Sequence, residues 1–188
     1  MSFAEIPFPC HHPRASRAFS AFELLLGSGV VIGHNVFHVV PNEVIVLSLL
    51  GQFVIEPITG RFWPAPIVPA IAGEIAGNLR VALIALLVVW TFAAFGEEIA
   101  YRGYLLTRAA DLGNRSAAAY WIGIVIVSVL FGYGHYSKGP SGIIDSGVAG
   151  LILGAAYMLA GRNLWASILA HGFIDTFGVV DAFFGWSS

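Results

Sequence analysis

Charge is what this 188-residue sequence has least of: Lys, Arg, Asp and Glu together make up 11% of it. The nine basic residues are scattered and the net charge is -2. That excludes the basic face of a nucleic-acid-binding protein and a polybasic patch for anionic lipid. A single cysteine, Cys10, cannot form an internal disulfide, and no zinc-finger spacing occurs. No HExxH run is present, so a zinc peptidase of that type has no local signature here. What the chain does have is apolar length. It is 57% hydrophobic with a mean hydropathy of +0.81, in runs close to the ~20 residues that cross a hydrocarbon core. These features describe a multi-pass integral membrane protein, expected in the cell (inner) membrane, whose first partner is the lipid bilayer.

Six apolar segments are expected, at roughly residues 20–40, 43–58, 81–108, 116–136, 142–160 and 163–186, from length and hydropathy. Arg14 and Arg17 precede the first, which lacks a small-residue cleavage site and reads as a retained anchor. Strands would leave unpaired backbone groups in lipid, so the expected fold is all-α, a polytopic helical bundle of about six spans. The connections around NRS, SKGPSG and GRN are short and demand antiparallel neighbours. The linker TGRFWPAPIVPAIAGEIAGN, residues 59–78, is rich in proline and aromatics and reads as a segment skimming the interface. Basic residues in the loops lean towards a cytoplasmic N-terminus. Gly147, Gly150, Gly154 and Ala155 allow close helix contact and are read as packing residues. The whole chain, 1–188, reads as one membrane domain, with anchor helices and an interfacial loop in 1–79 and a four-helix core in 80–186.

Ionisable residues inside apolar segments are costly and are the first candidates for function. They are Glu97, Glu98, Arg102, His135, His171 and Asp175, with His34 and His38 earlier. Glu98 and Arg102, four apart, share a helical face and suit an ion pair. By the 3.6-residue period Glu97 points about 100° away, free to act as a general base. His171 and Asp175 share another face, so the carboxylate can orient the imidazole. Reckoned at about 1.5 Å per helical residue, Glu97, His135 and His171 fall at similar depths. Phe131, one turn before His135, reads as packing or cavity lining. His34 and His38, also four apart, form at most half of a metal site, and Cys10, His11 and His12 read as a loose terminus.

Two water-activating chemistries fit a carboxylate with two histidines. In one, Glu97 takes a proton from water attacking a peptide carbonyl, His135 positions the water, and His171 with Asp175 stabilises the oxyanion. In the other, Glu97, His135 and His171 hold zinc, a His2Glu ligand set.

Three motifs carry a resemblance. EExxxR reads as Glu97, Glu98 and Arg102 followed by Gly103; FxxxH reads as Phe131 and His135; HxxxN/D reads as His171 and Asp175. Together and in this order they resemble the CPBP family of intramembrane proteases, also called the Abi or CAAX-protease family, which includes the type II CAAX prenyl endopeptidases. The resemblance covers about residues 80–186, against the family's four-helix core. It implies a glutamate-dependent endopeptidase cutting near the C-terminus of a membrane-associated, lipidated or prenylated CAAX-like substrate, with Glu97 as base. Asp175 stands where CAAX-processing members often carry Asn, and about six helices stand where many relatives have eight. A non-catalytic immunity or scaffold protein that keeps the polar cluster for binding is the alternative. An ion carrier is disfavoured, because no inverted repeat or paired broken helices are visible.

Overall fold

The computed structural model describes residues 42–63 and 71–186, so His34, His38 and the Cys10–His12 terminus lie outside the described residues, as does the expected 20–40 span. Every regular element described is helical. Helix α1 (Asn42–Leu50) continues through a π-helical turn (Gly51–Ile55) into α2 (Glu56–Phe62). A short α3 (Ile71–Ile75) leads to α4 (Leu79–Asp111), followed by α5 (Ala117–Gly134), α6 (Gly139–Leu159) and α7 (Leu164–Phe184). Among the described residues four helical stretches are long and apolar enough to cross a membrane: Leu79–Asp111, Ala117–Gly134, Tyr136–Leu159 and Leu164–Phe184. The 43–58 segment is helical but is not one of the four. Of the 59–78 linker, residues 59–62 complete α2 and 71–75 form α3, while 64–70 lie outside the described residues.

The helix ends follow from capping residues. The Asn78 side chain accepts from the Val81 amide, Ser116 from that of Ala119 and Asn163 from that of Trp165, so α4, α5 and α7 each start on a side chain that satisfies an orphan N–H. At the other end of α7, Gly185 takes the left-handed conformation (φ 65°) that an L side chain resists.

Apolar side chains cover the outside of this bundle: Leu83, Ile84, Leu87 and Phe92 on α4 and Ile122, Val125, Ile126 and Val129 on α5 are exposed. This inversion of the soluble pattern belongs to helices solvated by lipid, where association rests on close packing instead of apolar burial. The α5–α6 seam shows such packing. A Cβ on Gly132 would lie 2.5 Å from the Ile143 carbonyl oxygen and 3.0 Å from Gly147 Cα. One on Gly154 would lie 2.7 Å from the Ile124 side chain, and one on Gly150 3.1 Å from Ser128 Cα. Glycine at these positions lets two backbones approach where any side chain would hold them apart. Leu106 and Ala110 of α4 pack with Tyr120, Ile124 and Val127 of α5, and Tyr157 of α6 joins them. Helix α7 is drawn onto α4 at Gly172, where a Cβ would fall 2.6 Å from the Trp90 ring. There Trp90 Nε1–H also donates to Thr176 Oγ1 at 3.1 Å.

Candidate active site

Helix α4 carries the paired glutamates through an unusual stretch. Residues Val89–Glu97 and Ile99–Leu105 are π-helical, with wider turns than an α-helix. Glu98, between the two stretches, keeps ordinary α-helical dihedrals (φ -64°, ψ -38°). π-helical turns recur at functional sites.

Glu98 is completely buried and Arg102 is 1% exposed. Arg102 Nη1 donates to Glu98 Oε1 at 2.8 Å, and Nη2 donates to the Gly150 carbonyl of α6 at 2.8 Å. The guanidinium also lies 4.8 Å from the centroid of the Phe131 ring. A buried arginine thus has a carboxylate, a carbonyl and an aromatic face as partners, which a charge removed from water requires. The same Glu98 oxygen accepts a second bond, from His171 Nδ1–H at 2.9 Å, across 73 residues of sequence. Glu98 therefore links Arg102 to His171. With Nδ1 given to Glu98, the other ring nitrogen, Nε2, stands 3.5 Å from Asp175 Oδ2, one helical turn on.

His135 is held differently. Helix α5 ends at Gly134, so His135 is its C-cap and does not lie in mid-span; a single 3-10 turn, Tyr136–Lys138, and Gly139 at φ 76° then lead into α6. Its Nδ1–H donates to the Phe131 carbonyl at 2.8 Å, which leaves Nε2 as the free nitrogen. Phe131, 2% exposed, is the hub of these groups. Its ring centroid is 4.8 Å from that of His135, 6.0 Å from His171 and 4.9 Å from Tyr101.

Glu97, Phe131, His135, His171 and Asp175 line one cavity of about 340 Å³. Glu97 Oε2 is buried and has no hydrogen-bond partner among the described residues. The motif residues thus come together in two layers. Glu98 and Arg102 form a buried bracket behind His171, while Glu97, His135, His171 and Asp175 face the cavity.

Zinc held by Glu97, His135 and His171 would require the three side chains to converge on one point. Among the described residues no three of His, Cys, Asp and Glu are disposed to hold one metal ion. The Nδ1 contacts of His171 with Glu98 and of His135 with a backbone carbonyl fix both rings and leave each Nε2 turned to other partners, an arrangement that acid–base catalysis and metal ligation share.

Three contributors to the site carry no motif. Gly150 supplies the carbonyl for Arg102, Tyr101 stacks edge-on against Phe131, and α1–α2 forms the far wall of the cavity through Ser48, Gln52 and Glu56. The small-residue run around Gly150 signals close packing, but which carbonyl it would expose is a tertiary outcome. The polar spacing of residues 48, 52 and 56 within an apolar helix is the one sequence signal that marks the wall.

Comparison with known proteins places residues 79–177 under one family model, described as Rce1-like: type II CAAX prenyl endopeptidase Rce1-like. The match spans more than half of the chain and takes in all three motifs. No curated protein and no solved structure matches the chain.

Proposed function

The chain belongs to the Rce1-like family of type II CAAX prenyl endopeptidases, and from that premise we propose that it hydrolyses a peptide bond near the C-terminus of a membrane-associated, prenylated CAAX-like substrate, with Glu97 as the general base. The observation that carries this reading is the Glu97 carboxylate. Its buried oxygen, without a hydrogen-bond partner among the described residues, belongs to a side chain that lines the same cavity as His135 and His171.

In the proposed reaction Glu97 takes a proton from water, and the water oxygen bonds to the scissile carbonyl carbon. His135, anchored through Nδ1, positions that water with Nε2. The carbonyl oxygen becomes an oxyanion beside His171, which donates through Nε2–H when both ring nitrogens carry protons, with Asp175 holding the ring in place. Collapse of the tetrahedral intermediate breaks the C–N bond, and Glu97 returns its proton to the leaving nitrogen. Glu98 and Arg102 act through His171 and do not touch the reacting atoms. They are positioning residues, and the low-dielectric surroundings make their fixed geometry effective without reorganisation.

The test uses purified full-length protein in detergent with a fluorescence-quenched farnesylated peptide ending in a CAAX sequence. Glu97→Gln and His135→Ala, each eluting as folded protein, are expected to lose about 10²- to 10⁴-fold in rate, the worth of a positioned acid–base group. Cleavage by both at the wild-type rate would refute the assignment.

A further inference from the structure

The family match begins at residue 79, yet the cavity does not end with the matched helices. Its far wall is the continuous helix formed by α1, the Gly51–Ile55 turn and α2. Ser48, Gln52 and Glu56 recur every four residues and line the cavity, while Leu47, Leu50, Phe53 and Val54 of the same helix are exposed. One polar stripe of the helix therefore borders the cavity, with Ser48 and Gln52 half-buried and Glu56 exposed. It is fastened to α6 by Thr59, whose hydroxyl donates to Asp145 Oδ1 at 2.6 Å, and by Gly51, where a Cβ would sit 3.5 Å from the Ile152 side chain.

The polar groups of this wall differ in what they have left to offer. The Ser48 hydroxyl is committed to the Val44 carbonyl at 2.8 Å. Thr59 is committed to Asp145 and to the Glu56 carbonyl. Gln52 has no hydrogen-bond partner among the described residues, although it is half-buried and borders the cavity. A primary amide carries two donors and one acceptor, and leaving them unused in an otherwise apolar helix is unfavourable unless a ligand or water completes them. An extended peptide entering the site brings the matching deficit, since each residue carries an N–H and a C=O that need partners away from bulk water. The Gly51–Ile55 turn that holds Gln52 is π-helical, a geometry that recurs at functional sites.

We propose that Gln52 is a substrate-binding residue, hydrogen-bonding the main chain of an extended peptide opposite Glu97 and His135, so that the helix preceding the family-matched segment supplies one wall of the peptide site. The inference rests on the proposed peptidase reading for the class of ligand, and a binding measurement separates the two.

The probe is a dansylated, farnesylated CAAX peptide titrated by fluorescence anisotropy onto full-length Glu97→Gln protein, which does not consume it under the proposed reading, with and without Gln52→Leu. Gln52→Leu is expected to raise Kd about three- to tenfold, the worth of one or two hydrogen bonds. Val54→Ala, on the exposed apolar side, is expected to leave Kd unchanged. Peptides with a single amide replaced by an ester, scanned along the sequence, give an internal check. At one position the ester should weaken binding to the protein that retains Gln52 and have no further effect on Gln52→Leu. Equal Kd with and without Gln52→Leu, additive ester effects at every position, or no binding of the probe to the protein that retains Gln52 each overturns the inference. Weakened binding in Gln52→Leu together with no cleavage by the wild type would refute the peptidase reading and leave this one standing.

Discussion

Replacing Glu98 by Gln tests the buried bracket behind the site most directly. The substitution preserves shape and removes one charge, leaving the Arg102 guanidinium, 1% exposed, without a carboxylate. Glu98 Oε1 accepts from Arg102 at 2.8 Å and from His171 at 2.9 Å, and Oε2 is buried with no partner. A glutamine oxygen placed at Oε1 can keep both bonds in weakened form, but its NH2 then occupies the Oε2 position and finds no acceptor. Breaking a buried ion pair from one side costs about 3–5 kcal/mol, because the surviving charge stays desolvated. Arg102→Met should cost a similar amount, since it strands Glu98 and frees the Gly150 carbonyl. The double variant Glu98→Gln/Arg102→Met contains no stranded charge and is expected to cost less than the sum by about 2 kcal/mol, within the range of coupling between contacting residues. SDS-titrated unfolding of the four proteins in mixed micelles measures the cycle. Additive losses, or a Glu98→Gln cost below about 1 kcal/mol, a level typical of exposed pairs, would refute the view that the pair is a coupled, desolvated bracket.

Two further outcomes follow from the geometry. Gly132→Ala directs its Cβ at the Ile143 carbonyl and Gly147 Cα, both backbone, so α5 and α6 must separate. An overpacking loss of about 1–3 kcal/mol is expected. Gly147→Ala on the facing helix meets nothing closer than 3.7 Å and should be neutral, or stabilising by up to about 1 kcal/mol through helix propensity. Thermal unfolding followed by tryptophan fluorescence distinguishes the two, and equal losses would contradict the asymmetric seam. Prolonged chelation with 1,10-phenanthroline is expected to leave peptide cleavage unchanged, because the proposed route takes its proton transfers from the Glu97, His135 and His171 side chains. Inactivation reversed by added zinc would overturn the metal-free route.

Much of this architecture is written locally in the chain. Apolar runs of membrane-crossing length require helices, because only intrahelical bonding satisfies the backbone in lipid, and the described residues contain helices throughout. Four-residue spacing likewise fixes who can share a face: Glu98 with Arg102, His171 with Asp175, and Phe131 with His135 are each one turn apart and are in contact or close to it. Such relations depend on helical period alone and are legible without coordinates.

What period cannot determine is which helix faces which, and at what height. Glu98 reads from sequence as a partner of Arg102 only; its second partner, His171, lies 73 residues away, brought there because Gly172 lets α7 approach Trp90 on α4. Arg102 finds the Gly150 carbonyl because glycines at 132, 150 and 154 let α6 close onto α5. The π-helical stretches of α4 flank Glu98, and the Gly51–Ile55 turn lies in the helix that brings Gln52 to the cavity. Membrane class and the pairs within each helix follow from the order of residues, because hydrogen-bond periodicity is local. Which oxygen of which glutamate meets which histidine emerges only when the helices pack, because it depends on backbone approach at contacts far apart in the chain.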